Sequence, residues 1–150
     1  MKMLHPSCPS GYKLFSILAW LLVSCGGQSS HANVSLIEFL PNPAQIKEGK
    51  CESQAQVIEV NGKTVSLLSL EAVFLDERQN TARVVLNSSE LSLVSDSQTI
   101  PGYSSIKLPL SFDLGSQGVS APAQGSIVVL GSGSSGVTQF IGFLRCEGGT

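Results

Sequence analysis

The sequence predicts an all-β body, an antiparallel sandwich of seven or eight short strands, and three observations carry that reading. No segment keeps a helical period over ten residues. Short runs of aliphatic, β-branched and aromatic residues alternate with Gly, Pro, Asn and Ser at the 8–12-residue spacing typical of sandwiches. Ile106, Leu108, Leu110, Phe112 and Leu114 recur at every second position, which puts all five on one face of a strand. Composition leans the same way. Charged residues make up 13% of the chain, against roughly 25% in ordinary soluble domains, and Gly and Ser are abundant. A length of 150 residues fits one domain behind a targeting segment.

The first 24 residues form that segment. Residues 1–13 contain Lys2, His5 and Lys13 and no acid, and an apolar run follows from Leu14 to Val23, broken only by Ser16. As a helix the run would reach about 15 Å, half of a bilayer core, so it fits a signal-peptide core and not a transmembrane span. The run ends in Leu22-Val23-Ser24-Cys25. This stretch resembles the lipobox of bacterial lipoproteins, and the resemblance covers about the first 25 residues. It implies that Cys25 carries diacylglycerol on its sulfur, that a peptidase cuts before it, and that the mature protein is membrane-bound through Cys25. Gly26 stands where an Asp would commonly signal inner-membrane retention, so the resemblance implies an outer-membrane address in a diderm envelope. Two or more acyl chains suffice for stable anchoring.

Residues 25–33 then form the lipidated terminus and a polar linker, expected to be a flexible coil about 16 Å from end to end. The body spans residues 34–150. Its expected strands are 34–40, broken by Pro41-Asn42-Pro43; 44–50; 50–60, with Cys51, Ala55 and Val57 on one face; 70–75; 82–86; 106–114; 126–130; and 137–146. Asn61-Gly62 marks a turn. Residues 64–70 fit either a strand or a short helical turn. ELSLV at 90–94 fits a short edge strand, residues 95–105 and 115–125 fit loops, and GSGSSG fits the loop of a hairpin. Pro109 lacks an N–H, so its strand needs a free side or a bulge there. In pattern and length, residues 34–147 resemble the immunoglobulin-like and fibronectin type III-like modules of bacterial surface proteins. The antibody-type Trp is missing from them, since Trp20 lies in the signal.

Cysteine usage fits an oxidising compartment. With Cys8 removed and Cys25 lipidated, Cys51 and Cys146 remain, near the two ends of the body. A disulfide between them is favoured over two free thiols. A two-Cys metal site lacks a nearby His.

Several chemistries fit poorly. Removing Lys2 and Lys13 leaves 7 basic and 11 acidic side chains, a net charge of −4, and the basic residues are scattered. Nucleic acid is therefore an unsuitable partner. His5 is cut away and His31 lies in the linker, so a Ser-His-Asp triad or His-based zinc site has no histidine in the body. Gly131-Ser-Gly133-Ser-Ser-Gly136 spells G-x-G-x-x-G, but a β-rich segment follows it instead of a helix, so a dinucleotide cofactor is not expected. The acids Glu38, Glu52, Glu59, Glu71, Asp76, Glu77, Glu90, Asp96 and Asp113 are spread singly and fit solvated outward positions; Asp76, Glu77 and Asp96 are too sparse for a calcium motif. Asn33 and Asn87 match a glycosylation acceptor by chance. Tyr103 is either an exposed contact residue or a cap packed over the sandwich end. The expected function is a non-catalytic binding or structural module of the envelope. It would be lipid-anchored and partnered by an unknown envelope protein or glycan, with no cofactor and no metal. The alternatives are a carboxylate-dependent enzyme acting on envelope glycans and a carrier of a small apolar ligand.

Overall fold

A computed structural model describes residues 34–148. The described residues form nine strands and one short helix: β1 (Val34–Leu40), β2 (Ala44–Lys47), β3 (Lys50–Ile58), β4 (Val65–Asp76), β5 (Thr81–Asn87), α1 (Ser88–Val94), β6 (Thr99–Ile100), β7 (Ser105–Asp113), β8 (Ala123–Gly133) and β9 (Gly136–Gly148). The all-β expectation therefore holds. Hydrogen-bonded order is β1-β3-β2-β9-β8-β4-β5, with β7 on β3 and β6 on β4.

The pairing is not purely antiparallel, and this corrects the expectation. β9 runs parallel to β1 through Val34↔Gln139 and Leu36↔Ile141, then parallel to β2 through Ala44↔Cys146 and Ile46↔Gly148. β1 and β2 also pair antiparallel with β3. The chain thus changes neighbours at Pro41-Asn42-Pro43, where both X-Pro bonds are cis. Neither proline can donate to a ladder. The Asn42 amide fills the gap instead: its Nδ2 donates to the Phe143 carbonyl at 2.9 Å and its Oδ1 accepts from Arg145 N at 3.0 Å.

Alternation decides the faces. In β3 the residues Cys51, Ser53, Ala55 and Val57 turn inward, and in β7 Leu108, Leu110 and Phe112 do. β4 and β7 are not ladder neighbours. Even so, Phe74 and Phe112 meet with ring centroids 4.8 Å apart, so the buried faces of β4 and β7 share one core. Leu70, Ile127, Phe140 and Leu144 complete it. Pro109 stands exposed on β7, which pairs only with β3, so its missing N–H falls on a free edge as expected.

One open local reading is resolved and two expectations are corrected. Residues 65–76 form one twelve-residue strand with a register shift between Leu67 and Ser69, so the ambiguous stretch is strand. ELSLV belongs to helix α1 and not to a strand. Asn87 Oδ1 accepts from Ser89 N and Glu90 N, and Glu90 Oε2 accepts from Asn87 N, a reciprocal capping box that starts the helix. The GSGSSG loop shrinks to a turn at Ser134-Ser135, because β8 continues to Gly133 and β9 starts at Gly136. Gly131 and Gly133 are ladder residues for steric reasons. A Cβ at Gly131 would lie 2.3 Å from Val65 Cγ1, and one at Gly133 would lie 2.7 Å from the Thr64 carbonyl oxygen.

Candidate functional site

Cys25, the residue implied to be lipidated, lies outside the described residues, as do His31 and Asn33. The other two expected site residues come together. Cys51 on β3 and Cys146 on β9 form a disulfide with Cα atoms 6.0 Å apart and no solvent exposure of either residue. β2 pairs with both of their strands, Ile46 with Cys51 and Ala44 with Cys146, so the bond joins two strands that share a neighbour.

Two acids depart from the outward placement expected of them. Glu59 and Asp76 are buried, with 1% and 4% of their surface exposed. Each sits where a strand ends, and each gathers the donors of two loops. Glu59 accepts from Asn61 N at 2.7 Å, Lys63 N at 3.1 Å and Tyr103 N at 3.1 Å. This ties the loop after β3 to the loop before β7. Burial pushes the Glu59 carboxyl up, but the backbone donors of Tyr103, Asn61, Lys63 and Gly62 outweigh it and hold the group below its ordinary value. Asp76 accepts from the Asn80 side chain and from the backbone of Arg78 and Asn80. Ser120 adds its N–H and hydroxyl from across the fold. The Asn80 side-chain bond leads the donors that hold Asp76 well below its ordinary value, against the opposing effect of burial. The signal for both was present in the sequence: an acid followed within two residues by a turn can receive the turn's amides.

The two buried carboxylates do not converge. Glu59 lies beside the start of β4 and Asp76 at its end, about 36 Å apart along the strand. Glycoside chemistry needs two carboxyls about 5–9.5 Å apart. Glu71 is tied to Arg83 at 2.8 Å, Glu90 to the helix cap, and Asp113 Oδ1 accepts from Ser116 N. Among the described residues no group of three His, Cys, Asp or Glu side chains is arranged to hold a metal ion. Of the G-x-G-x-x-G glycines, Gly131 and Gly133 serve the β4–β8 contact described above, and Gly136 opens β9 at φ +104°.

Tyr103 resolves to its exposed alternative. Its residue is 80% exposed at φ +56°, a left-handed backbone that Tyr rarely adopts. The Glu59 bond to its N–H anchors that backbone. Its ring rests over Gly62, where a Cβ would come within 2.5 Å of Tyr103 Cε2. Val60, 50% exposed, stands on the adjoining loop. The same end of the fold holds Val137 (60% exposed) at the start of β9 and Leu36 (59% exposed) on β1. On the outer face of β3 and β7, around their central pair Gln54↔Pro109, a shallow groove of about 400 Å³ is lined by Leu40, Pro41, Glu52, Gln54, Pro109 and Ser111. Ser111 donates to Glu52 across its floor at 3.3 Å.

No family model matches the chain, and no curated protein does. Solved structures are similar to it at low identity. The Northeast Structural Genomics Consortium target SoR45 aligns at 14% identity over 74% of this chain and 81% of its own, with a TM-score of 0.50. The sporulation control protein Spo0M of Bacillus subtilis aligns at 11% identity over 77% of this chain and 49% of its own, with a TM-score of 0.43. The alkylpurine DNA glycosylase AlkC of Pseudomonas fluorescens aligns at 12% identity over 74% of this chain and 31% of its own, with a TM-score of 0.37. The likeness to SoR45 bears on fold alone.

Proposed function

We propose that this chain is a lipid-anchored envelope protein of a diderm bacterium and that its body binds or scaffolds without catalysing. The observation that carries the proposal is the order of parts. A basic stretch, an apolar run and Leu22-Val23-Ser24-Cys25 stand eight residues ahead of a β body closed by a disulfide. The body is read as an immunoglobulin-like sandwich. Support comes from the strand order, with β5-β4-β8-β9 along one side, β3-β7 along the other, and β1 and β2 joining them through parallel pairs to β9. The non-catalytic role is favoured because the buried acids Glu59 and Asp76 spend their oxygens on loop amides at opposite ends. The partner is an envelope protein or glycan. The open groove of Leu40, Gln54, Pro109, Glu52 and Ser111 offers it hydrogen-bonding groups beside an apolar wall.

The test is Cys25→Ala. The native chain should lose its signal, gain the mass of a diacylglyceryl group and sediment with membranes. The variant should stay unprocessed and unacylated. Unchanged processing and fractionation in the variant would refute the anchor.

A further inference from the structure

We propose that the end of the body where the chain enters β1 rests on the lipid surface holding Cys25, with Tyr103 as its interfacial contact. This rests on the anchor reading above. The length of the connecting chain is the first support. Eight residues, 26–33, separate Cys25 from Val34, and fully extended they reach at most about 28 Å. That is shorter than the long axis of the body, since β9 alone runs about 40 Å from Gly136 to Gly148. The entry end therefore stays close to the bilayer.

The distribution of side chains is the second support. Val34 pairs with Gln139 near the start of β9, and Leu36 pairs with Ile58 at the end of β3. Around that point stand four exposed apolar or aromatic side chains: Leu36 on β1, Val60 after β3, Tyr103 before β7 and Val137 on β9. Within the segments that bear them (34–36, 59–64, 101–104 and 133–137) the charged side chains are Lys63 and the amide-clamped Glu59. The far end is the reverse. Its turns carry Lys47, Glu48, Lys50, Asp76, Glu77 and Arg78. Apolar groups, one tyrosine and a lysine suit a headgroup boundary, where amphipathic rings sit and cations meet anionic lipid. The Glu59 bond anchors the Tyr103 backbone, so the ring is presented from a fixed position.

Fluorescence provides the test. Trp20 is the only tryptophan and precedes Cys25, so the processed chain has none. Tyr103→Trp and, separately, Val137→Trp are introduced into the lipidated full-length product, with Glu77→Trp, exposed in the far-end turn after β4, as control. Each is reconstituted into phosphatidylethanolamine–phosphatidylglycerol vesicles with or without brominated acyl chains. The proposal expects blue-shifted emission and about a twofold brominated-lipid quench for Tyr103→Trp and Val137→Trp, with Glu77→Trp unaffected. Acylated protein whose emission at 103 and 137 is unquenched overturns the docking and leaves the anchor standing. A blue shift without quenching marks a protein contact and overturns it equally. A processed mass without acyl chains, or a retained signal with Trp20, overturns the anchor, and the docking falls with it.

Discussion

Glu59 shows how much one side chain settles in this fold. Three donors whose distances lie between 2.7 and 3.1 Å converge on a carboxylate with 1% exposure. A charged acceptor is worth more to a buried amide than a neutral one, and a lost acceptor leaves the amides unpaired. Glu59→Gln keeps the shape but turns an NH₂ toward amide donors. It should cost about 2 kcal/mol, read from the urea midpoint at pH 7. The pH dependence has a definite sign. Glu59 has an ordinary value of 4.5 and is lowered in the fold, and Asp76, ordinarily 3.8, is lowered further. Groups depressed by folding stabilise fully above their unfolded values and lose that contribution as pH falls through the folded ones. The native protein should thus weaken as pH drops below about 4.5. Glu59→Gln should show a shallower acid slope, and Asp76→Asn a shallower slope at still lower pH. Parallel curves for all three proteins would contradict the clamp. The clamp also explains why the exposure of Tyr103 was illegible in sequence. A tyrosine at a loop tip covers the core or faces water according to its backbone angles, and here an acid 44 residues away helps to set them.

Among the elements, legibility followed how local each determinant is. Period-2 alternation in β3 and β7 placed their inward residues correctly, because the pleat alone decides those faces. The parallel pairs of β9 with β1 and β2 had no local signature, since they join residues about 100 positions apart. Helix α1 was missed for a different reason. Its apolar residues Leu91, Leu93 and Val94 mimic strand alternation over so short a span, and the deciding signal was Asn87 with Glu90 three residues on. The glycines near the β8–β9 turn illustrate the opposite error, a loop inferred where close packing was the cause. A test follows from Gly131. Gly131→Ala should cost about 1–3 kcal/mol in urea unfolding, because its methyl group meets Val65 Cγ1. Val65→Ala should also destabilise, and the double variant should be more stable than the sum of the two single losses predicts, since each change relieves the other. Strict additivity would mean that the ladder shifts to admit the methyl group.

For the molecule as a whole, the disulfide is a covalent constraint of long range. Cys51 and Cys146 are 95 residues apart, and the loop they close contains most of β3, the whole of β4 through β8 and nearly all of β9. Both ends of that loop pair with β2, whose four residues join β3 and β9 beside the longer β1, which pairs with the same two strands. A covalent link between them restricts the unfolded chain according to the length of the loop it closes. On the chain-entropy account a loop of this length is worth about 4.7 kcal/mol as an upper value. Both sulfurs are fully buried, so removing them also vacates core volume. The two effects are separable by comparing two proteins. Reduction of the native chain removes the constraint and keeps both sulfurs, whereas Cys51→Ala with Cys146→Ala removes the constraint and the sulfurs together. Urea unfolding should give a loss of up to about 4.7 kcal/mol on reduction and a larger loss for the double variant, the excess reporting the cavity. If reduction left the midpoint unchanged, the bond would be incidental to a fold already held by its ladders. If the reduced protein unfolded at pH 7 without denaturant, the described body would depend on an oxidising compartment, in line with the envelope address proposed for it.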